Sequence, residues 1–236
     1  ARATCDRLAR AFWERRAQFV PEMVAPDEAV QRALARGSGT VVFCDSADAP
    51  SSGATGDSTV ILRAVLEVAP LPVTVLLNIV DAQAVGRAIE AGVGATVTMP
   101  VGGSLAPNFF KPVSFTGQVR QISDGVFHFK GPGMRGVEHH MGRTVVLVQD
   151  GIHLVVMERP VTQWDPQLYR SLGEEPLDAR IVQVKSPAAF RAAYAGIADD
   201  ILIIASPGAA SSRFQTLPWH HLRRPIYPLD PDTSWP

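Results

Sequence analysis

Apolar positions recur along this chain with two different periods, and the switch between them divides it. Near the start, Cys5, Leu8, Phe12 and Phe19 share one helical stripe while Arg2, Asp6, Arg7, Arg10 and Glu14 lie off it. That spacing predicts an amphipathic helix that needs a partner surface. A second helix is expected over 26–36, with Pro26 in its first turn, Asp27 and Glu28 complementing the helix dipole, and Gly37 after its last turn. From Thr40 onward the order reads strand 41–44, helix 58–68, strand 73–78, helix 81–91, strand 95–99. Such alternation predicts parallel strands joined by right-handed crossovers. The 81–91 helix has the clearest punctuation, with Asp81 as N-cap, Val85, Ala88 and Ile89 on one face and Gly92 as its stop.

Between 112 and 159 the apolar residues come in short runs broken by Asp124-Gly125 and Asp150-Gly151. Asp-Gly pairs between apolar runs signal hairpins, so an antiparallel meander is expected there. Afterwards Asp165-Pro166 opens a short helix that Gly173 closes, and strand 181–184, helix 187–198 and strand 201–205 restore the α/β order. Ser186 is expected to cap that helix and Pro187 to start it. The tail, 218–236, is proline-rich and expected to lie extended over the body. The fold class is therefore α/β, a mostly parallel sheet with flanking helices and an inserted antiparallel β meander. Residues 1–38 form amino-terminal helices and 39–236 the α/β domain.

Loops that follow parallel strands share one sheet edge, where open α/β sheets bind their ligands. Segments 45–57, 100–108, 185–186 and 206–212 should therefore converge, with the Gly-rich run 131–136 as one possible wall. The 45–57 loop is the most informative, because it joins an apolar strand to an apolar helix through small, acidic and hydroxyl residues. Asp45, Asp48 and Asp57 with Ser51, Ser52, Thr55 and Ser58 could line a polar pocket, and the amides at the start of the following helix could hold an anion. Cap and turn chemistry is the competing account, with Asp57 as a helix cap. Neither a Gly-Lys-Ser/Thr ending nor Gly-x-Gly-x-x-Gly spacing is present, so this is not a known nucleotide loop.

Composition narrows the partners. The 236 residues are 46% hydrophobic and 19% charged with a formal net charge of -1, which gives no global field for nucleic acid and no signature of disorder. No apolar run is long enough to span a membrane. The chain opens Ala1-Arg2-Ala3-Thr4, without an initiator Met or a signal peptide, and is expected to be truncated. Two cysteines, Cys5 and Cys44, do not make a disulfide framework, and a reducing, cytoplasmic compartment is expected.

Catalytic groups are scarce. The three loop aspartates match no calcium spacing. His139-His140 and His220-His221 place adjacent rings on opposite sides of a strand or splayed on a helix, and His-x-x-x-His, Cys-x-x-Cys and His-Glu-x-x-His are all missing. Glu138 with His139, or His139 with His220, is the remaining possibility for a metal. There is no Gly-x-Ser-x-Gly elbow, and Cys44 reads as a small core residue. Lys185 and Arg191 are expected near the crevice edge, where either could pair with a carboxylate or be solvated.

Taken together, several motifs resemble the carboxyl-terminal domain of microcystinase C-like metallopeptidases. They are Gly56-Asp57-Ser58-Thr59, Gly131-Pro132-Gly133, Met141-Gly142-Arg143-Thr144, Trp164-Asp165-Pro166, Val184-Lys185-Ser186, Pro207-Gly208 and Arg224-Pro225-Ile226-Tyr227-Pro228. The resemblance runs from about residue 40 to 230. It implies an amino-terminal domain, absent here, that supplies the zinc ligands and hydrolyses peptide or related amide bonds. This chain then shapes the substrate cleft, has no catalytic or metal-ligating residue of its own, and is inactive alone. Residue by residue, the resemblance implies that Asp48, Ser51, Ser52, Gly53, Gly56 and Asp57 face that partner domain, with Lys185 and Gly208 nearby. Asp45 and Ser58 complete the substrate-binding set. The family loop is often richer in glycine where this chain has Ser51 and Ser52, so hydroxyl hydrogen bonds replace close backbone approach. The competing reading is a stand-alone, non-catalytic module that binds a small anion or polar metabolite at the 45–57 loop.

Overall fold

A computed structural model describes residues 1–234, and these divide into two compact units. The smaller combines Ala1–Glu22 with the segment from Ser211 onward, and the larger spans Met23–Ala210. In the smaller unit, helix α1 (Arg2–Glu14) is followed by a 3-10 turn over Arg16–Phe19, so Phe19 of the expected stripe lies beyond the α-helix. Phe12 stacks on Phe19 with ring centroids 5.4 Å apart, yet both rings remain largely exposed. Arg224 forms an ion pair with Asp230 in the tail. The last two positions of the 218–236 tail lie outside the described residues.

The larger unit is built on an eight-stranded sheet. In chain order its elements are α2 (Pro26–Leu34), β1 (Thr40–Cys44), α3 (Val60–Leu66), β2 (Val75–Val80), α4 (Ala82–Ala91), β3 (Thr96–Val101), β4 (Val113–Ser123), β5 (Val126–His128) and β6 (Glu138–His140). They continue with β7 (Thr144–Gln149), β8 (Ile152–Met157), α5 (Gln167–Arg170), β9 (Ile181–Val184), α6 (Phe190–Ala193) and β10 (Ala198–Ile203). The sheet order is β10-β1-β9-β2-β8-β7-β4-β3, and β5 and β6 form a separate antiparallel pair. From β10 to β8 every pairing is parallel, and from β8 to β3 every pairing is antiparallel.

The central strands explain their own composition. All residues of β1, β2 and β9 are buried, because both faces of a parallel sheet are covered and alternation is lost. Val41, Phe43, Leu77 and Ile79 pack on one face with Val30, Ile61, Val65 and Val85 from α2, α3 and α4. Val42, Cys44, Leu76 and Val184 pack on the other with Phe127, Phe129, Tyr169, Phe190 and Tyr194.

Local punctuation is realised where it was clearest. Asp81 accepts a hydrogen bond from the Ala84 N–H at 2.9 Å, and Gly92 ends α4 at φ 83°. Asp150-Gly151 turns β7 into β8 with positive φ at both positions, 47° and 87°. Asp124-Gly125, by contrast, passes from β4 to β5, which belong to different sheets, so it is no hairpin.

Two expectations are corrected. The 95–99 segment is not a parallel strand: β3 lies at the antiparallel edge against β4. Pro100 within β3 lacks the N–H that an internal strand must donate, which suits an edge. The 187–198 helix shrinks to the four residues of α6, and Ser186 caps nothing; the N-cap position falls at Ala189.

Cys44 makes a hydrogen bond to the Ser186 carbonyl at 3.0 Å, and burial, reinforced by the Asp45 charge, pushes its thiol up to about 12. Cys5 is exposed. Native protein should therefore release one thiol to Ellman's reagent, with Cys44 reacting only after denaturant is added. Equal rates for both thiols without denaturant would show that the end of β1 opens freely.

Candidate functional site

The four loops converge at the carboxyl ends of β1, β9 and β2, and hydrogen bonds between them hold the site together. Asp48 is the hub. Its Oδ1 accepts the Gly56 N–H at 2.9 Å, and its Oδ2 accepts the Ser58 N–H and the Lys185 ammonium, each at 2.7 Å. Both partners of the ion pair are buried, at 1% and 0% exposure of their side chains. Lys185 follows β9, and its main-chain N–H donates to the Gln163 carbonyl at 3.1 Å.

Asp57 ties down the next loop. Its Oδ2 accepts the Leu105 N–H at 2.7 Å, its Oδ1 accepts the Thr55 hydroxyl at 2.5 Å, and its carbonyl accepts the Gly103 N–H at 2.8 Å. It does not cap α3, whose N-cap position is Thr59 without a side-chain cap bond. Asp81 adds a second tie, because its Oδ2 accepts the Gly102 N–H at 2.9 Å. The 100–108 segment thus reaches the expected edge although its strand is antiparallel.

The last loop closes on the first. The Ser206 hydroxyl lies 2.5 Å from Asp45 Oδ1, and the Ala210 N–H donates to the Ala47 carbonyl at 2.9 Å. A Cβ on Gly208 would stand 2.3 Å from that same Ala47 oxygen, so no larger residue fits. Gly56 is equally constrained, with φ 78° and a Val80 methyl 2.8 Å from where a Cβ would be.

Burial raises the Asp45 carboxyl pKa above its ordinary 3.8, and the neighbouring Asp48 charge adds to the rise; Lys185, Ser206 and Ser58 oppose it. Among the described residues its Oδ2 has no hydrogen-bond partner, nor do the buried Ser186 Oγ and Gln163 Oε1 in the adjoining segments.

Of the residues expected from the sequence, the structure gathers Asp45, Asp48, Gly56, Asp57, Ser58, Lys185 and Gly208 into a buried base. Ser51, Ser52 and Gly53 form an exposed tip above it. Of the amides that could have met an anion near the start of the 58–68 segment, Asp48 occupies those of Gly56 and Ser58. Arg191 is exposed, with its guanidinium 5.5 Å from the Phe190 ring centroid.

Beside the tip lies a cleft of about 420 Å³, lined by Pro50, Ser51, Gly53 and Ala54 on one side and by Glu138–His140 and Pro160, Val161 and Thr162 on others. The 131–136 run is not part of this wall. Asp165 instead anchors its start by accepting the Gly131 N–H at 2.7 Å. Sequence reasoning missed Glu138–His140 and 160–162 as walls, because the β5–β6 pair is placed by tertiary contacts and carries no motif. Gln163, Ser186 and Ser206 were likewise not singled out as site residues.

The histidines separate as an extended strand requires. His139 packs beside Phe127 and Phe129, with centroids 5.6 and 4.5 Å away, and burial lowers its pKa. His140 and His128 point the other way and share Glu138, at 2.8 and 3.1 Å. Among the described residues, no three His, Cys, Asp or Glu side chains are grouped to hold a metal ion, and the loop aspartates are spent on the protein's own donors. These residues do not fit a zinc site.

With this geometry in place, the likeness to known proteins is informative. The family described as MlrC C-terminus matches residues 43–221. Microcystinase C from Sphingomonas sp is 29% identical over 191 residues, covering 81% of this chain and 36% of that protein. A crystal structure named "Putative metallopeptidase", from Mesorhizobium sp. BNC1, superposes with a TM-score of 0.84 at 28% identity, covering 98% of this chain and 46% of that one. The chain therefore spans less than half the length of either protein.

Two predictions follow from the buried base. Lys185→Met strands the Asp48 charge and should cost about 3–5 kcal/mol in urea unfolding; a loss below about 1 kcal/mol would mean that the pair does not hold the loop. Asp45 gives a pH signature. A carboxyl that keeps its proton above 3.8 in the folded state favours folding below that pH, and the contribution is lost as pH rises through the folded-state value. Asp45→Asn carries no charge to bury, so its stability relative to wild type should climb as pH is raised from 3.8. Parallel pH profiles for the two proteins would refute this.

Proposed function

The chain belongs to the MlrC C-terminus family, and from that premise we propose that it is the cleft-forming part of a zinc-dependent metallopeptidase that hydrolyses peptide or related amide bonds. The zinc ligands and the water-activating chemistry belong, in this reading, to an amino-terminal half such as the additional length of its relatives. No catalytic step is assigned to the residues described here. Their part is to shape, orient and exclude water. Two free cysteines support a reducing, cytoplasmic setting, and no helix among the described residues is long and apolar enough to cross a membrane.

One observation carries the proposal: an exposed tip, Ser51–Gly53, stands on a buried, hydrogen-bonded base at the edge of a cleft of about 420 Å³. A loop held from below by Asp48 and Asp57 presents its tip at fixed positions, which is what substrate positioning demands. Ser51 and Gly53 are the contacts proposed for substrate, with Ser52 beside them. Asp45, Asp48, Gly56, Asp57, Ser58, Lys185 and Gly208 act on substrate through the shape they impose on that tip.

The proposal is tested in a protein carrying both halves. Zinc should bind near one equivalent there and in negligible amount to this chain alone. Ser51→Trp, which fills the cleft mouth without touching the base, should lower kcat/KM for a peptide substrate about tenfold while zinc content and stability hold. Stoichiometric zinc in this chain alone, or full activity in the Trp variant, would overturn the assignment.

A further inference from the structure

The β5–β6 pair leaves one strand edge open onto the cleft. Its register is Val126 with His140, Phe127 with His139 and His128 with Glu138. The flanking bonds, Phe129 N–H to Val137 carbonyl at 3.0 Å and Met141 N–H to Gly125 carbonyl at 2.9 Å, fix the phase of the ladder. Residues 137, 139 and 141 turn their main-chain groups toward β5, so Glu138 and His140 turn theirs away. The sheet has only these two strands. Among the described residues, the outward N–H and C=O groups of Glu138 and His140 therefore form an unpaired edge.

What shares the cleft with that edge gives it meaning. The Arg159 N–H reaches the Met141 carbonyl at 2.9 Å, so the chain after β8 meets the residue that follows β6. Pro160 follows with no N–H to donate, and the pairing stops there. Pro160, Val161 and Thr162 line the same cleft as Glu138–His140 and the Ser51 tip. Glu138 bridges His140 and His128 across the pair, which stiffens the strand that presents the edge.

We propose that an extended peptide enters this cleft as a third strand on β6, its main chain bonded to Glu138 and His140 and its flank against the Ser51 tip. Strand addition draws affinity from main-chain bonds and tolerates varied side chains. The occupant is thus an unfolded or linear peptide read through its backbone. This deepens the peptidase reading above and rests on it for the choice of a peptide over another extended polymer.

The test uses this chain and a sequence-neutral probe, fluorescein-labelled hexa-alanine, in anisotropy titrations with its singly N-methylated analogues. Methylation removes one donor at a time. Affinity should fall about tenfold for methylation at two positions spaced by one residue and stay unchanged for the amide between them. Hydrogen exchange at the Glu138 and His140 amides should slow on saturation with the probe, and His140→Pro, which deletes one outward donor, should weaken binding. Absence of binding at millimolar peptide, uniform loss across the methyl scan, or unchanged exchange at both amides would overturn strand addition. Because no readout needs catalysis, its failure is distinct from failure of the peptidase reading, which is judged by turnover in the two-half protein.

Discussion

Everything at the candidate site hangs on the carboxylate of Asp48. It sits buried, and such a charge is tolerated only where donors meet it. Two main-chain N–H groups and one ammonium do so here. Because two of these donors belong to the loop that Asp48 itself opens, the carboxylate folds residues 48–58 back on themselves. Because the third comes from the end of β9, the loop is fastened to the sheet. Asp57 and Asp81 repeat the device toward the 102–106 segment. The acids act as internal anions for the protein's own amides.

That use explains what the sequence could and could not disclose. Burial on both faces made β1, β2 and β9 readable as apolar runs, and Asp81, Gly92 and Asp150-Gly151 carried their own local chemistry. The convergence of the four loops follows from strand direction, and three of them needed only the parallel order. The fourth arrives on an antiparallel strand, which Pro100 hinted at and the alternating pattern concealed. Ser186-Pro187 looked like a helix start, but Gly196, at φ 84°, lies within the expected range and only four residues become helical. Whether an aspartate faces inward or outward has no sequence signature, so Asp48 and Asp57 were equally fit as ligands for substrate or for their own loop. The β6 wall was illegible because its place depends on Phe127 and Phe129 packing against the far face of the sheet.

Burial also sets the electrostatic balance. Asp45, Asp48 and Lys185 bring two acids and one base into one buried cluster. With the Asp45 carboxyl pKa raised, the cluster moves toward one anion and one cation, which is the arrangement a poorly solvated interior tolerates best. Among the described residues, Asp45 Oδ2, Ser186 Oγ and Gln163 Oε1 have no partner in this region. Each carries a desolvation cost of roughly 1–3 kcal/mol. Those costs are set against the bonds that Asp48 makes to Gly56, Ser58 and Lys185, which fix the shape of the loop.

The division between base and tip has a consequence for variation. Asp48 binds main-chain groups at Gly56 and Ser58, so the conformation of the loop does not depend on which side chains occupy 51 and 52. Those two residues lie in a 3-10 turn, Pro50–Ser52, and only Gly53, at φ 88°, takes the left-handed conformation that favours glycine. Serine at 51 and 52 thus imposes no backbone strain. Side chains at these two positions are free to change the chemistry of the cleft mouth, while a change at Gly56 or Gly208, pressed against Val80 and Ala47, would disturb the loop from beneath.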